Sequence, residues 1–292
     1  MRTFLRYIGF LFLAVWAALV ALDWGFTGYL QNHPPKRNAM ARVLALHGQT
    51  ISYVFMGNSR VESTIYAPII EKATAKRTLN LGTASSNMAD MLLYTQLLLE
   101  QNNQIEQLWL QVDFNYNYVG SSTLVRSNAM PYLFDHPTIG KFIDEYDENE
   151  QVYRVIPFAR YMINNYSIGL RNVLKNAVYK GKKAHDPEGF FERNGPFTDY
   201  NTRLPDSLHH INPELADIRK LCQKNQVKLV LFTAPFSTTT QNLVFIDALK
   251  SRYPDLKDYS RIFTNDSLYF VDNVHLNGEG AKAFTRQLLI DL

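Results

Sequence analysis

The sequence predicts an α/β protein: a doubly wound, mostly parallel sheet that carries a helical insertion and is preceded by a transmembrane helix. Three observations lead there. Short apolar runs alternate with segments of helical period, as repeated βαβ units require. An uncharged stretch of sixteen residues, Tyr7 to Leu22, lies near the start of the chain. About 100 residues without strand rhythm separate the third apolar run from the helical pattern that starts at Pro213, too many for a simple crossover.

The run Tyr7–Leu22 follows Arg2 and Arg6 and precedes Asp23, with Trp24, Phe26, Tyr29 and Leu30 extending it as interfacial aromatics and apolar residues. A cleavable signal needs small residues at −3 and −1; cutting after Ala21 puts Leu19 at −3, and cutting after Ala18 puts Trp16 there. The segment 1–30 therefore reads as an uncleaved anchor, and 31–50, with Pro34-Pro35, as a linker and short leading helix. Arg2, Arg6 and the terminal amine favour a cytoplasmic N-terminus, which places the remaining domain outside the cytoplasm, periplasmic or extracellular.

Residues 51–292 form the expected soluble domain. Ile51–Met56 stops at Gly57, Thr78–Leu81 at Gly82, Gln107–Phe114 at Asn115, and Val227–Thr233 at Ala234-Pro235; each reads as a buried strand ending in a loop. Met88–Glu100, Pro213–Lys224 and Gly278–Leu292 show helical spacing of apolar residues. The insertion spans about 116–212. From Tyr116 to Tyr200 it holds 15 Phe and Tyr in 85 residues, which reads first as a cap with its own aromatic core and second as a groove at the strand ends.

With 46% apolar and 20% charged residues, and 30 Lys+Arg against 27 Asp+Glu for a net charge of +3, the chain is that of a folded protein. Its cations are scattered, so nucleic acid is not an expected partner. The single cysteine, Cys222, excludes an internal disulfide and a cysteine-based zinc site. No cofactor is implied. His209-His210 lacks a carboxylate at ligand spacing, and the acidic run 144–150 lacks the glycine and terminal glutamate of a calcium loop, so neither is a metal site; the acidic run reads as a solvated face.

The chemistry concentrates at strand ends. Gly57-Asn58-Ser59-Arg60 follows the first soluble strand, and Asp272-Asn273-Val274-His275 precedes the last helix. An Asp three residues before a His can face the same way on one helical turn, so the carboxylate can hold the Nδ1 proton while Nε2 faces a nucleophile. Ser59 at the top of the first strand suits that role, with a following helix supplying N–H groups to a developing oxyanion. Singly, Ser59 and Asp272 read equally as helix or turn caps; their joint placement in a doubly wound sheet is what singles them out.

These residues resemble the SGNH (GDSL-like) hydrolase family, from about Val54 to the C-terminus. Gly57-Asn58-Ser59 is similar to its first block and Asn80-Leu81-Gly82 to its second. Asp113-Phe114-Asn115-Tyr116 lies on the third, and Asp272-Asn273-Val274-His275 on the last. The chain departs in having Asn58 where an Asp is usual and Asp113 where a Gly is usual. The resemblance implies a three-layer, flavodoxin-like sandwich and a Ser59–His275–Asp272 triad. It also implies an oxyanion hole from the Ser59 and Gly82 N–H groups with the Asn115 side chain. The substrate would be an acyl ester, with water or a sugar hydroxyl as acceptor. With its anchor, the chain resembles proteins that act beside membrane-bound O-acyltransferases on cell-envelope polysaccharides, so such an enzyme is an implied partner and an envelope glycan an implied substrate. A non-catalytic accessory protein that binds a glycan or a membrane enzyme is the competing expectation. Arg60 reads either as a guide for an anionic substrate or as the partner of a nearby carboxylate, and Tyr116, Tyr118 and Tyr132 as first candidates for acceptor contacts.

Overall fold

A computed structural model describes residues 1–34, 38–171, 173–174, 189–209 and 211–292. The chain divides into two compact units, Met1–Ala41 with Thr123–Lys183 and Arg42–Ser122 with Ala184–Leu292.

The second unit is built on a five-stranded sheet in the order β2-β1-β3-β4-β5, parallel throughout. Its strands are β1 (Thr50–Met56), β2 (Thr78–Asn80), β3 (Gln104–Gln111), β4 (Lys228–Thr233) and β5 (Lys257–Asp258). After Thr50 every residue of β1 is buried, which is why the strand reads as a continuous apolar run rather than an alternation. The order reverses between β1 and β3, where open sheets of this kind leave a crevice at their carboxyl ends.

Each sheet face has its own helices. Tyr53, Phe55, Trp109, Val230 and Phe232 share one core with Ile70 of α4 (Ala67–Thr74) and with Phe284 and Leu288 of the C-terminal helix Gly278–Leu288. Rings of Phe55, Trp109 and Phe232 meet across three strands, with centroids 5.6 to 6.2 Å apart. On the other face, Met56 Sδ accepts a hydrogen bond from Thr95 of α5 (Met88–Glu100), which packs on the helix Pro213–Lys224. Helix α5 begins with a capping box between Asn87 and Asp90.

One strand is added and two expectations are corrected. β5 has only two residues, too short to leave a periodic signature in the sequence. β3 ends at Gln111, not Phe114, because the Asp113 carboxylate accepts the Asn115 N–H and turns the chain into a 3-10 turn, Phe114–Asn117. The C-terminal helix ends at Leu288 rather than Leu292.

The first unit joins the apolar helix to the middle of the insertion. Helix α1 (Arg2–Asn32) has 31 residues, roughly 45 Å of length, and is long and apolar enough to be a membrane anchor or a signal sequence. The unit also holds the helices α6 (Thr123–Ala129), α7 (Pro137–Tyr146), α8 (Glu150–Val155) and α9 (Ala159–Ile163), and the last part of α1, from Asp23 onward, is bonded to α9, to Phe158 before it and to the turn at Pro131 and Asp135 between α6 and α7. Asp23 accepts from Arg160 through both carboxylate oxygens, at 2.6 and 3.2 Å, and from the Phe158 N–H at 3.0 Å. Thr27 Oγ1 is 2.6 Å from the Tyr161 hydroxyl, and Phe26 packs edge-on against Phe158 and Tyr161.

The insertion's aromatics Phe142, Tyr153 and Tyr161 are buried within this unit, as a cap that first fills its own core would have them. Asp147 of the acidic run is not solvated. It takes Arg126 at 3.3 Å, the Asn149 N–H and the Tyr153 hydroxyl. Of the stretch 116–212, only 123–183 belongs to this unit; residues before and after it belong to the sheet unit.

Truncating Phe284, which binds the C-terminal helix to the sheet core, is expected to cost about 3–5 kcal/mol. Urea unfolding of the Phe284→Ala protein, followed by near-ultraviolet dichroism, measures it.

Candidate active site

Ser59 opens a helix of four residues, α3 (Ser59–Glu62), immediately beyond β1. Asn58 is its cap: the side-chain oxygen accepts the Arg60 N–H at 2.9 Å, while the Asn58 N–H donates to Gln111 Oε1 at 2.9 Å. One turn of helix carries little dipole, so what the turn offers at the serine is the Ser59 N–H itself, at the first helical position, where no intrahelical acceptor exists. Gly57 permits the approach of β3: a Cβ there would lie 2.3 Å from Gln111 Oε1 and 2.2 Å from Val61 Cγ2.

Asp272 and His275 lie in a tight loop, not on the helical turn that their spacing suggested. The Phe270 and Leu276 bridge closes it, and both flanks are buried in the sheet core. Inside the loop, Asp272 Oδ1 accepts the Val274 and His275 N–H groups, each at 2.9 Å, which fixes the carboxylate before it meets the ring. His275 Nδ1 is then 2.9 Å from Asp272 Oδ2, and Nε2 is 2.8 Å from Ser59 Oγ. With the Nδ1 proton donated to Asp272, Nε2 is the acceptor for the serine hydroxyl. The three side chains singled out in the sequence thus form one hydrogen-bonded chain.

Burial alone would lift the Asp272 carboxyl, but hydrogen bonds and charge from His275, with the two backbone N–H groups, hold it below its ordinary range. His275 moves down as well. Burial is the main cause, the Asp272 partner offsets it in part, and the positive charges of Arg193 and Arg60 add to it. The pair is therefore a carboxylate beside a neutral imidazole at neutral pH, the protonation state a general base needs.

Arg60 does not face a substrate. It is buried and paired with Asp113, its Nε donates to Val274 O at 3.1 Å, and its second terminal nitrogen donates to Ala234 O and Pro235 O, both at 2.7 Å. The Phe236 ring covers the guanidinium at 3.6 Å. Asp113 also accepts from Gln111 Nε2. Asp113 is thus the counter-ion of the arginine beside the serine.

The three proposed oxyanion donors differ in state. Asn115 is buried; its Oδ1 accepts the Asp113 N–H at 3.0 Å, and its Nδ2 has no hydrogen-bond partner among the described residues. The Gly82 N–H is engaged at 2.8 Å by Asn80 Oδ1, while Asn80 Nδ2 donates to Val61 O and Ile65 O. Gly82 packs directly on the serine turn: a Cβ there would lie 2.1 Å from the Glu62 nitrogen. So Gly82 and Asn80 fasten the turn, and the donors without an internal acceptor are the Ser59 N–H and Asn115 Nδ2.

Sequence reasoning missed the segment that crosses the loop carrying Asp272 and His275. Thr198 bridges Asp272, the Tyr200 N–H donates to Asn273 Oδ1 at 2.7 Å, and the buried Asn273 donates to Asp199 and Thr239, both at 2.8 Å. Only the packing of residues 190–203 against the loop exposes this role, since the segment has no periodicity. Tyr116 proves unavailable for acceptor contacts, being buried with its hydroxyl 3.1 Å from that of Tyr253; Tyr118 is exposed, and Tyr132 belongs to the other unit.

His209 is exposed with its N–H on Asn117 Oδ1, and His210 lies outside the described residues. Among the described residues no group of three or more His, Cys, Asp or Glu side chains could hold a metal ion. No known protein-family profile matches the chain, and no curated protein is similar to it in sequence.

Two outcomes are expected. NMR titration of the His275 ring should give a midpoint below its ordinary 6.5, and Arg193→Gln, by removing a positive charge, should move that midpoint upward. Asp113→Ala leaves the Arg60 charge buried without its counter-ion and should destabilise the protein by about 3–5 kcal/mol. Denaturant unfolding checks this, with Arg60→Met and the double variant completing a cycle that shows strong coupling.

Proposed function

We propose that the chain is a membrane-anchored serine esterase or O-acyltransferase of the SGNH type, acting on acyl esters of a cell-envelope glycan, with acetyl as the simplest such group. The observation that carries this reading is the Ser59–His275–Asp272 chain at the carboxyl edge of a parallel sheet. His275 Nε2 takes the Ser59 proton as Oγ adds to the ester carbonyl. The Ser59 N–H and Asn115 Nδ2 receive the oxyanion, and Gly82 joins them only as a donor shared with Asn80. Collapse of the tetrahedral adduct returns the proton from His275 to the departing alcohol and leaves an acyl-serine. Water or a sugar hydroxyl, deprotonated by the same imidazole, then takes the acyl group. The unpartnered Asn115 Nδ2 supports this role, because a buried donor left without an acceptor costs about 1–3 kcal/mol and is rarely kept without use.

Retention of α1 is part of the reading. Asp23, Thr27 and Gln31 are bonded into the first unit, so the helix is continuous with folded structure well past its apolar run. With Arg2 and Arg6 holding the N-terminus inside, both units lie outside the cytoplasm, where envelope glycans are.

A fluorophosphonate is expected to label Ser59, located by mass spectrometry of the modified peptide. Ser59→Ala should abolish labelling and lower kcat/KM for a small acyl ester by about a thousandfold or more, and Asp272→Ala should cost less than His275→Ala. If glycan acylation in cells carrying Ser59→Ala equals that of wild type, the chain is instead an accessory protein that binds.

A further inference from the structure

The first unit leaves large apolar side chains uncovered beside α1. Val155 at the end of α8 is 67% exposed, Met162 and Ile163 at the end of α9 are 63% and 48% exposed, and Tyr166 is 96% exposed. They belong to a unit that buries Phe142, Tyr153 and Tyr161, so their exposure is not a general failure of packing.

The height of the corner between α8 and α9 along α1 is fixed by contacts. Phe158 and Arg160, which follow the corner between α8 and α9, bind Asp23, the first charge after the apolar run. The corner also reaches further up the helix: Val155 and Pro157 line one depression together with Val20 and Trp16. Val20 and Trp16 lie three and seven residues before Asp23, about 5 and 10 Å along the axis, inside the apolar run. The corner therefore stands alongside that run, not beneath it.

The charges near this corner are neutralised in a way that suits such a position. Asp23 and Arg160 form a bidentate pair with Arg160 buried, and Arg154, next to Val155, pairs with Asp144 at 2.5 Å. A carboxylate at the end of a membrane span is costly unless held by a cation.

We infer that the corner between α8 and α9, with the ends of both helices, is inserted into the interfacial layer of the lipid bilayer, making the first unit a monotopic collar around the base of its own anchor. The inference rests on reading α1 as a retained span. Lipid is the occupant that the geometry commits to, because Val155 shares a depression with Trp16 and Val20 of a helix whose apolar run is itself uncovered and, as a span, requires lipid. The insertion then has a purpose of its own, separate from any contact with substrate: it fixes a rigid unit at a set depth in the membrane.

The test uses the full-length protein reconstituted alone in phosphatidylcholine–phosphatidylglycerol vesicles. Native Cys222 is buried, with its thiol pushed up to about 11, so cysteines introduced by Val155→Cys and Ile163→Cys can be labelled selectively with an environment-sensitive dye. Both dyes should be quenched at least twofold by nitroxide lipids, and more by a nitroxide near the head of the acyl chain than by one near its end, since interfacial insertion reaches only about 5–10 Å. A dye at Glu148→Cys, on the exposed charged side of the same unit, should be quenched far less. Equal quenching at all three positions, or none at 155 and 163 in protein that resists carbonate extraction, overturns the collar and leaves the anchor intact. Release of the wild-type protein by carbonate overturns the anchor reading and the collar with it. Photo-cross-linking from position 155 in native membranes to a protein, with no lipid adduct, replaces the bilayer with a protein partner.

Discussion

Arg60 reaches from the serine turn to three other strand-end segments: Asp113 after β3, the carbonyls of Ala234 and Pro235 after β4, and the Val274 carbonyl inside the catalytic loop. In a parallel sheet nothing in the ladder itself fixes the loops beyond the strand ends, so their relative positions must come from side chains. A guanidinium suits the task, with five donors in a rigid plane that stays charged even where burial lowers its proton affinity. Placing that charge in the interior is tolerable only beside a carboxylate, and Asp113 supplies it. The 2.8 Å approach of Ser59 to His275 is thus held from behind by a buried ion pair one residue away.

The same layer accounts for Asn58 and Asp113. Asn58, in place of an aspartate, caps the serine turn through Oδ1 and adds no negative charge near the Asp113 carboxylate. Gln111 connects the two, accepting from the Asn58 N–H and donating to Asp113. An aspartate at 58 would place a second carboxylate in a network that has one cation. The substitutions at 58 and 113 therefore read as a matched pair, with Arg60 as the third member.

The first unit repeats this logic at a different boundary. Asp23 would be an expensive residue to place at the end of an apolar helix, and Arg160 removes that cost by pairing through both oxygens while also donating to Thr27 Oγ1 and Met130 O. In both units a single buried arginine gathers segments distant in sequence, and the charge it meets marks the place where the chain must be held.

The α/β alternation with four of the five parallel strands, an N-terminal helix long and apolar enough for an anchor or a signal sequence, and the choice of Ser59, Asp272 and His275 as residues that meet were legible in the sequence. Hydrophobic periodicity, an uncharged run and short blocks at strand ends are local patterns, and local patterns survive in one dimension. The two-residue β5, the early end of β3 at Gln111 and the loop that holds Asp272 against His275 were not, because each depends on a particular backbone pairing or on a carboxylate bonded to backbone N–H groups, which no composition records. Nor could the sequence say that Arg60 belongs to Asp113, that Arg160 belongs to Asp23 across 137 positions, or that Gly82 donates to Asn80 while Asn115 keeps a free donor. The two ion pairs join residues far apart in the chain and Gly82 stands only two from Asn80, yet the tertiary structure decides them all, since a charged or polar group finds its partner by proximity in space once burial has removed the water that would otherwise serve.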